Sequence, residues 1–77
     1  MTVNVELGSW FKKYYNDENV LKLELRDGAN LSDLISALDK IDPEEIGFIA
    51  VNNEKKKDNF VISSKDDIKI FPLIIGG

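Results

Sequence analysis

The stretch Asn30-Leu31-Ser32-Asp33-Leu34-Ile35-Ser36-Ala37-Leu38-Asp39-Lys40-Ile41 decides the fold class. Its apolar residues Leu31, Leu34, Ile35, Leu38 and Ile41 fall at i, i+3, i+4, i+7 and i+10, on one face of a helix. Asn30 suits the N-cap, because its side-chain oxygen can accept from a free N–H of the first turn; Ser32 and Asp33 follow within that turn. Asp42-Pro43 stops the helix, since the residue before a proline avoids the α region. Pro43-Glu44-Glu45 can open one more short turn with proline at its first position. Upstream, Asp27-Gly28-Ala29 is a turn.

A helix with one apolar face needs a surface to cover, and the flanking segments read as strands. Val3, Val5 and Leu7 alternate with Thr2, Asn4 and Glu6, and Leu21, Leu23 and Leu25 alternate with Lys22, Glu24 and Arg26. These two sequential strands are expected to pair as a hairpin. After the helix, Gly47 breaks the short turn and Phe48-Ile49-Ala50-Val51 reads as a buried strand. Asn52 to Asp58 is a polar reversal, with Lys55-Lys56-Lys57 as its solvated tip. Phe60-Val61-Ile62 is a short strand or bridge, and Ser63 to Asp67 a second turn. Ile68 and Ile70 mark a last strand, ended by Pro72, which cannot donate to a ladder. The order is α+β: one main helix on one face of a mixed sheet of four to five strands. Placing the first and last strands side by side in the middle of that sheet gives a β-grasp. Trp10, Phe11, Tyr14 and Tyr15 form a helical turn or compact loop, read as core packing rather than a ligand platform.

Seventy-seven residues make one domain, 1–77, with little volume for an enclosed active site. There is no cysteine and no histidine. That removes disulfides, thiolate chemistry, and the commonest base and metal ligand. Ser9, Ser63 and Ser64 therefore have no histidine base. Glu44-Glu45 and Asp66-Asp67 lack convergent ligand spacing, so no metal site is expected. Fourteen acidic against ten basic residues give a net charge of −4. This disfavours nucleic acid as a partner and fits a soluble protein or one that docks on a basic surface. No apolar run approaches the roughly 20 residues that span a bilayer, and the alternating start is no signal peptide. A cytoplasmic protein with no membrane role is expected.

The most informative residues are the last ones. Leu73, Ile74 and Ile75 are large and apolar beyond the strand-ending Pro72, and Gly76-Gly77 closes the sequence. Glycine is about 7% of residues in average usage, so a chance pair is roughly a one-in-200 event. A diglycine end has no Cβ to collide with a narrow channel and can present its carboxylate inside another enzyme's site. Leu73, Ile74 and Ile75 would anchor such a tail by burial in a partner. Residues 73–77 are thus expected to act as a flexible tail. If Ile68 and Ile70 face the helix, Phe71 lies on the opposite face, a candidate docking ring beside the tail.

These residues resemble the MoaD/ThiS branch of ubiquitin-like sulfur carriers. Asp27 to Leu38 is similar to that family's turn and helix, Val51-Asn52-Asn53 to its strand end and reversal, and Ile70 to Gly77 to its C-terminal signature. The Gly8–Asn19 region is closer to MoaD, the small subunit of molybdopterin synthase, than to the shorter ThiS. Leu73 stands where MoaD sequences often carry a second proline, and Asp66 where a glycine is common. The resemblance implies a non-catalytic carrier that binds no cofactor itself. A partner activating enzyme uses ATP to adenylate Gly77, which becomes a thiocarboxylate and donates sulfur in molybdopterin or related cofactor synthesis. Gly76 gives access, and Phe71 and Pro72 match the family's docking stretch. The implied partners are the adenylating enzyme and the large subunit of molybdopterin synthase. A thiamine-pathway carrier, a ubiquitin-like protein modifier and a non-covalent interaction module stay open.

Overall fold

The computed structural model describes residues 1–74. Its elements are β1 (Thr2–Glu6), α1 (Gly8–Phe11) continuing into a 3-10 turn (Lys12–Tyr15), β2 (Val20–Glu24) and α2 (Leu31–Ala37). A second 3-10 turn (Pro43–Glu45), β3 (Ile46–Val51), β4 (Glu54–Lys56) and β5 (Asp67–Pro72) follow. The five strands form one sheet in the order β2-β1-β5-β3-β4. The central pair β1 and β5 is parallel; every other pairing is antiparallel. The first and last strands lie side by side at the centre, the β-grasp arrangement.

Alternation dictates which face is buried. Val3 and Val5 of β1, Ile49 and Val51 of β3, and Ile68 and Ile70 of β5 turn inward. There they meet Leu31, Leu34, Leu38 and Ile41 from α2 and the loop after it, with Phe11, Leu7 and Ile62 closing the ends. Asn30 caps α2 through a full capping box. Its Oδ1 accepts from the Asp33 N–H at 2.9 Å, and the Asp33 carboxylate accepts from the Asn30 N–H at 3.0 Å. Among the described residues, no buried side-chain polar atom lacks a partner.

Four expectations are corrected. The helix expected through Ile41 ends at Ala37, although Leu38 and Ile41 are buried as the pattern requires. The backbone leaves the helical region at Leu38 (φ −82°, ψ 70°), and beyond it the Tyr15 hydroxyl accepts from the Lys40 N–H at 3.1 Å and donates to Asp39 at 3.3 Å. That takes the donor another helical turn would have used. The lysine run is not a hairpin tip. Asn52 and Asn53, both at positive φ, make the reversal, while Lys55 and Lys56 belong to β4. Trp10 is no core residue. It is 49% exposed, with Lys13 Nζ 4.2 Å from its ring centre. Gly47 does not break a turn; it lies inside β3.

Candidate functional site

The outer face of the sheet carries the candidate docking residues. Because Ile68 and Ile70 point to the core, Lys69 and Phe71 point away from it. On β3 the same alternation sends Ile49 and Val51 inward and Phe48 outward. Phe48 and Phe71 are directly paired across the strands. Their rings stack at 4.6 Å between centroids with planes 13° apart, an arrangement open to such opposed residues. Each stays 37% exposed. Lys55 Nζ lies 5.3 Å from the Phe48 ring centre on one side of the pair. On the β1 side, Lys69 sits 3.6 Å from Glu6. A shallow groove runs beside the pair, with Leu7 and Trp10 on one wall and Phe71 and Pro72 on the other.

Pro72 ends β5 opposite Ile46 and is half-buried. The segment expected to be free from Leu73 onward has its first residue tied to the sheet. The Leu73 N–H donates to the Glu45 carbonyl at 2.7 Å, while the Leu73 side chain is 53% exposed and Ile74 83% exposed. Glu45 is held in turn by the Tyr14 hydroxyl, which donates to its carboxylate at 3.1 Å. Burial, and then the Glu45 carboxylate, push the Tyr14 hydroxyl above its ordinary value. Burial does the same to Tyr15. Of the expected site residues, Phe71, Pro72, Leu73 and Ile74 are thus contiguous at one end of the sheet. Ile75, Gly76 and Gly77 lie outside the described residues.

Phe48 belongs with this patch although its Phe-Ile-Ala-Val run reads as uniformly buried. The paired strand, not the run itself, reveals its outward face. Among the described residues, no group of three or more Asp, Glu, His or Cys side chains is placed to hold a metal ion. Asp66 and Glu45 are engaged in hydrogen bonds that shape loops: Asp66 accepts from the Ser63 N–H at 2.7 Å and from Asn52 Nδ2 at 3.0 Å. No described helix is long and apolar enough to cross a membrane. The chemistry on display is an aromatic contact surface beside a chain end.

The sequence profile of the ThiS family matches residues 11–77. The chain belongs to the ThiS family. Solved structures agree on the fold. A putative molybdopterin converting factor subunit 1 from Pyrococcus furiosus superposes with a TM-score of 0.81 at 22% identity, covering 96% of this chain and 99% of that one. Small archaeal modifier protein 1 of Haloferax volcanii gives a TM-score of 0.76 at 14% identity, over 95% and 98% of the two chains. The Haloferax volcanii HVO 2177 protein gives 0.78 at 15% identity, over 100% and 87%. No curated protein sequence matches significantly. At these identities the solved structures show a shared ubiquitin-like β-grasp fold, and the family rests on the profile.

Proposed function

We propose that this protein is a sulfur carrier whose Gly77 carboxylate is adenylated and then converted to a thiocarboxylate. The observation that carries the reading is the diglycine end, two residues past an apolar segment that leaves the sheet beside an exposed aromatic pair. A carboxylate is a poor electrophile at neutral pH. Attack of its oxygen on the α-phosphorus of ATP, with pyrophosphate leaving, makes an acyl-adenylate. A sulfur nucleophile then attacks the acyl carbon and AMP leaves. The base and any metal for those steps are assigned to the partner enzyme. This chain's part is to dock through Phe71, Pro72, Leu73, Ile74 and Ile75 and to offer Gly77 through Gly76, where a side chain would obstruct the channel. ATP binds the partner activating enzyme, in the cytoplasm.

The receiving pathway is proposed to be molybdopterin or a related cofactor. The Pyrococcus furiosus neighbour named as a converting factor supports this, and it makes the large subunit of molybdopterin synthase the second partner. Conjugation to a lysine of another protein is the alternative favoured by the neighbour named as a modifier. It shares the adenylation step and differs in the nucleophile.

The test is alkylation of protein from its native cells with a thiol reagent, followed by mass spectrometry. The encoded chain has no thiol, so an adduct can only report sulfur added afterwards. An adduct on Gly77 is expected. An unmodified tail after incubation with ATP, a sulfur source and the activating enzyme would sink the proposal. An isopeptide-linked Gly77 without any adduct would decide for the modifier.

A further inference from the structure

Glycine within a strand weakens it, because it packs nothing and loses more backbone entropy on ordering. Gly47 occupies such a place in β3, and the pairing explains it. Ile46 faces Pro72 and Phe48 faces Phe71, so Gly47 is one residue more than β5 supplies: the extra residue of a β-bulge. A Cβ on Gly47 would stand 2.8 Å from the Pro72 carbonyl oxygen and 3.1 Å from both the N and the Cα of Leu73. Those atoms are backbone, so no side chain can rotate out of the way. At the same point the Leu73 N–H is bonded to Glu45, the residue just before β3. The end of β5 is therefore held from two sides, by close contact at Gly47 and by a hydrogen bond at Glu45.

We propose that Gly47 is a positioning residue for the chemistry at Gly77. By lacking a Cβ it lets the Pro72–Leu73 peptide close onto β3, and so fixes where the chain leaves the sheet. This rests on the carrier reading above. An enzyme docked on Phe48 and Phe71 then receives a segment whose root is fixed two residues from the docking ring. Loosening that root leaves the docking contact in place but makes the productive arrangement rarer. The bulge also lets Ile46 and Phe48, two positions apart, fall on opposite faces of the sheet, Ile46 against the core and Phe48 across from Phe71.

The test has two arms. In the wild-type protein, the Leu73 amide should exchange its hydrogen at least roughly tenfold more slowly than in an unstructured chain; the unstructured rate would overturn the proposal. In Gly47→Ala, the core amides should stay protected while that of Leu73 loses protection. In ATP–pyrophosphate exchange with the activating enzyme, the variant should show kcat lowered about tenfold with KM for the carrier changed less than about twofold. A merely structural role lowers the folded fraction, which raises KM and leaves kcat. That pattern, wild-type kinetics, or a variant that does not fold each overturns the proposal. If the wild-type protein is not adenylated at all, the carrier reading fails. The exchange rates at Leu73 still decide whether Gly47 sets the exit.

Discussion

Replacing Phe71 by alanine is expected to cost the free protein about 2 kcal/mol and a docked complex at least as much again. The ring is 37% exposed, so about two-thirds of the roughly 1.5–3 kcal/mol that full burial of a phenylalanine contributes is at stake. Loss of the stack on Phe48 adds about 0.5–1.5 kcal/mol. A 77-residue domain has a total stability of about 4–12 kcal/mol at the usual per-residue value. The variant should therefore remain folded at room temperature, with Tm lowered by about 8–16 °C. Urea titration of Phe71→Ala, Phe48→Ala and the double variant closes a thermodynamic cycle. Its coupling energy should be about 0.5–1.5 kcal/mol. The same variants are then assayed for adenylation, where about 2 kcal/mol of lost docking appears as a roughly 30-fold rise in KM for the carrier. A coupling energy of zero would refute the stack. An unchanged KM for the folded Phe71→Ala protein would refute the docking role, whatever its stability.

Three further outcomes follow from the geometry. Deleting Gly76-Gly77 should abolish ATP–pyrophosphate exchange outright, and exchange that persists would refute the role proposed for Gly77. Asn30→Ala removes the acceptor for the Asp33 N–H and should lower stability by about 1 kcal/mol in urea titration; an unchanged midpoint would mean the capping box contributes nothing. Stability should be complete at neutral pH and fall in alkali. Tyr14 and Tyr15 titrate higher in the folded protein, chiefly through burial, so the unfolded chain loses these protons first, near pH 10. The stabilisation is present below about pH 10 and is lost as pH rises through the raised folded values. Denaturant midpoints measured up the alkaline limb should show it, with a shallower slope in Tyr14→Phe. A flat profile would contradict the raised folded values.

What could be read in advance depended on how local its cause was. The apolar stripe Leu31, Leu34, Ile35, Leu38 and Ile41 marks one side of a helix whatever surrounds it, and all but Ile35 are fully buried. Alternation in β5 likewise places Phe71 opposite Ile68 and Ile70 without knowledge of the neighbouring strands. The misses had distant causes. The early end of α2 is accompanied by a contact no local pattern announces, the Lys40 N–H donating to the Tyr15 hydroxyl across 25 residues. Phe48 sits in a run with no polar residue to mark which side faces out, and only its pairing with Phe71 decides it. Gly47 carried a legible signal, since a lone glycine against a strand suggests a bulge or a close backbone approach. Its neighbour at Leu73 could not be named from sequence. The tail was the reverse case, conspicuous in composition at Gly76-Gly77 and tied to a place in the fold only where β5 ends.

The parallel union of β1 and β5 also bears on the order of events during synthesis. The strand that emerges first from the ribosome must wait for the one that emerges last. Until Asp67–Pro72 is released, β1 and β3 have no strand between them and the inner faces of both lack their central cover. A nascent chain can form the β1–β2 hairpin and α2, but long-range pairing of this kind closes late. Any product truncated before Asp67 lacks the middle strand of its sheet. Closure of the sheet therefore waits on β5, the strand that also carries Phe71.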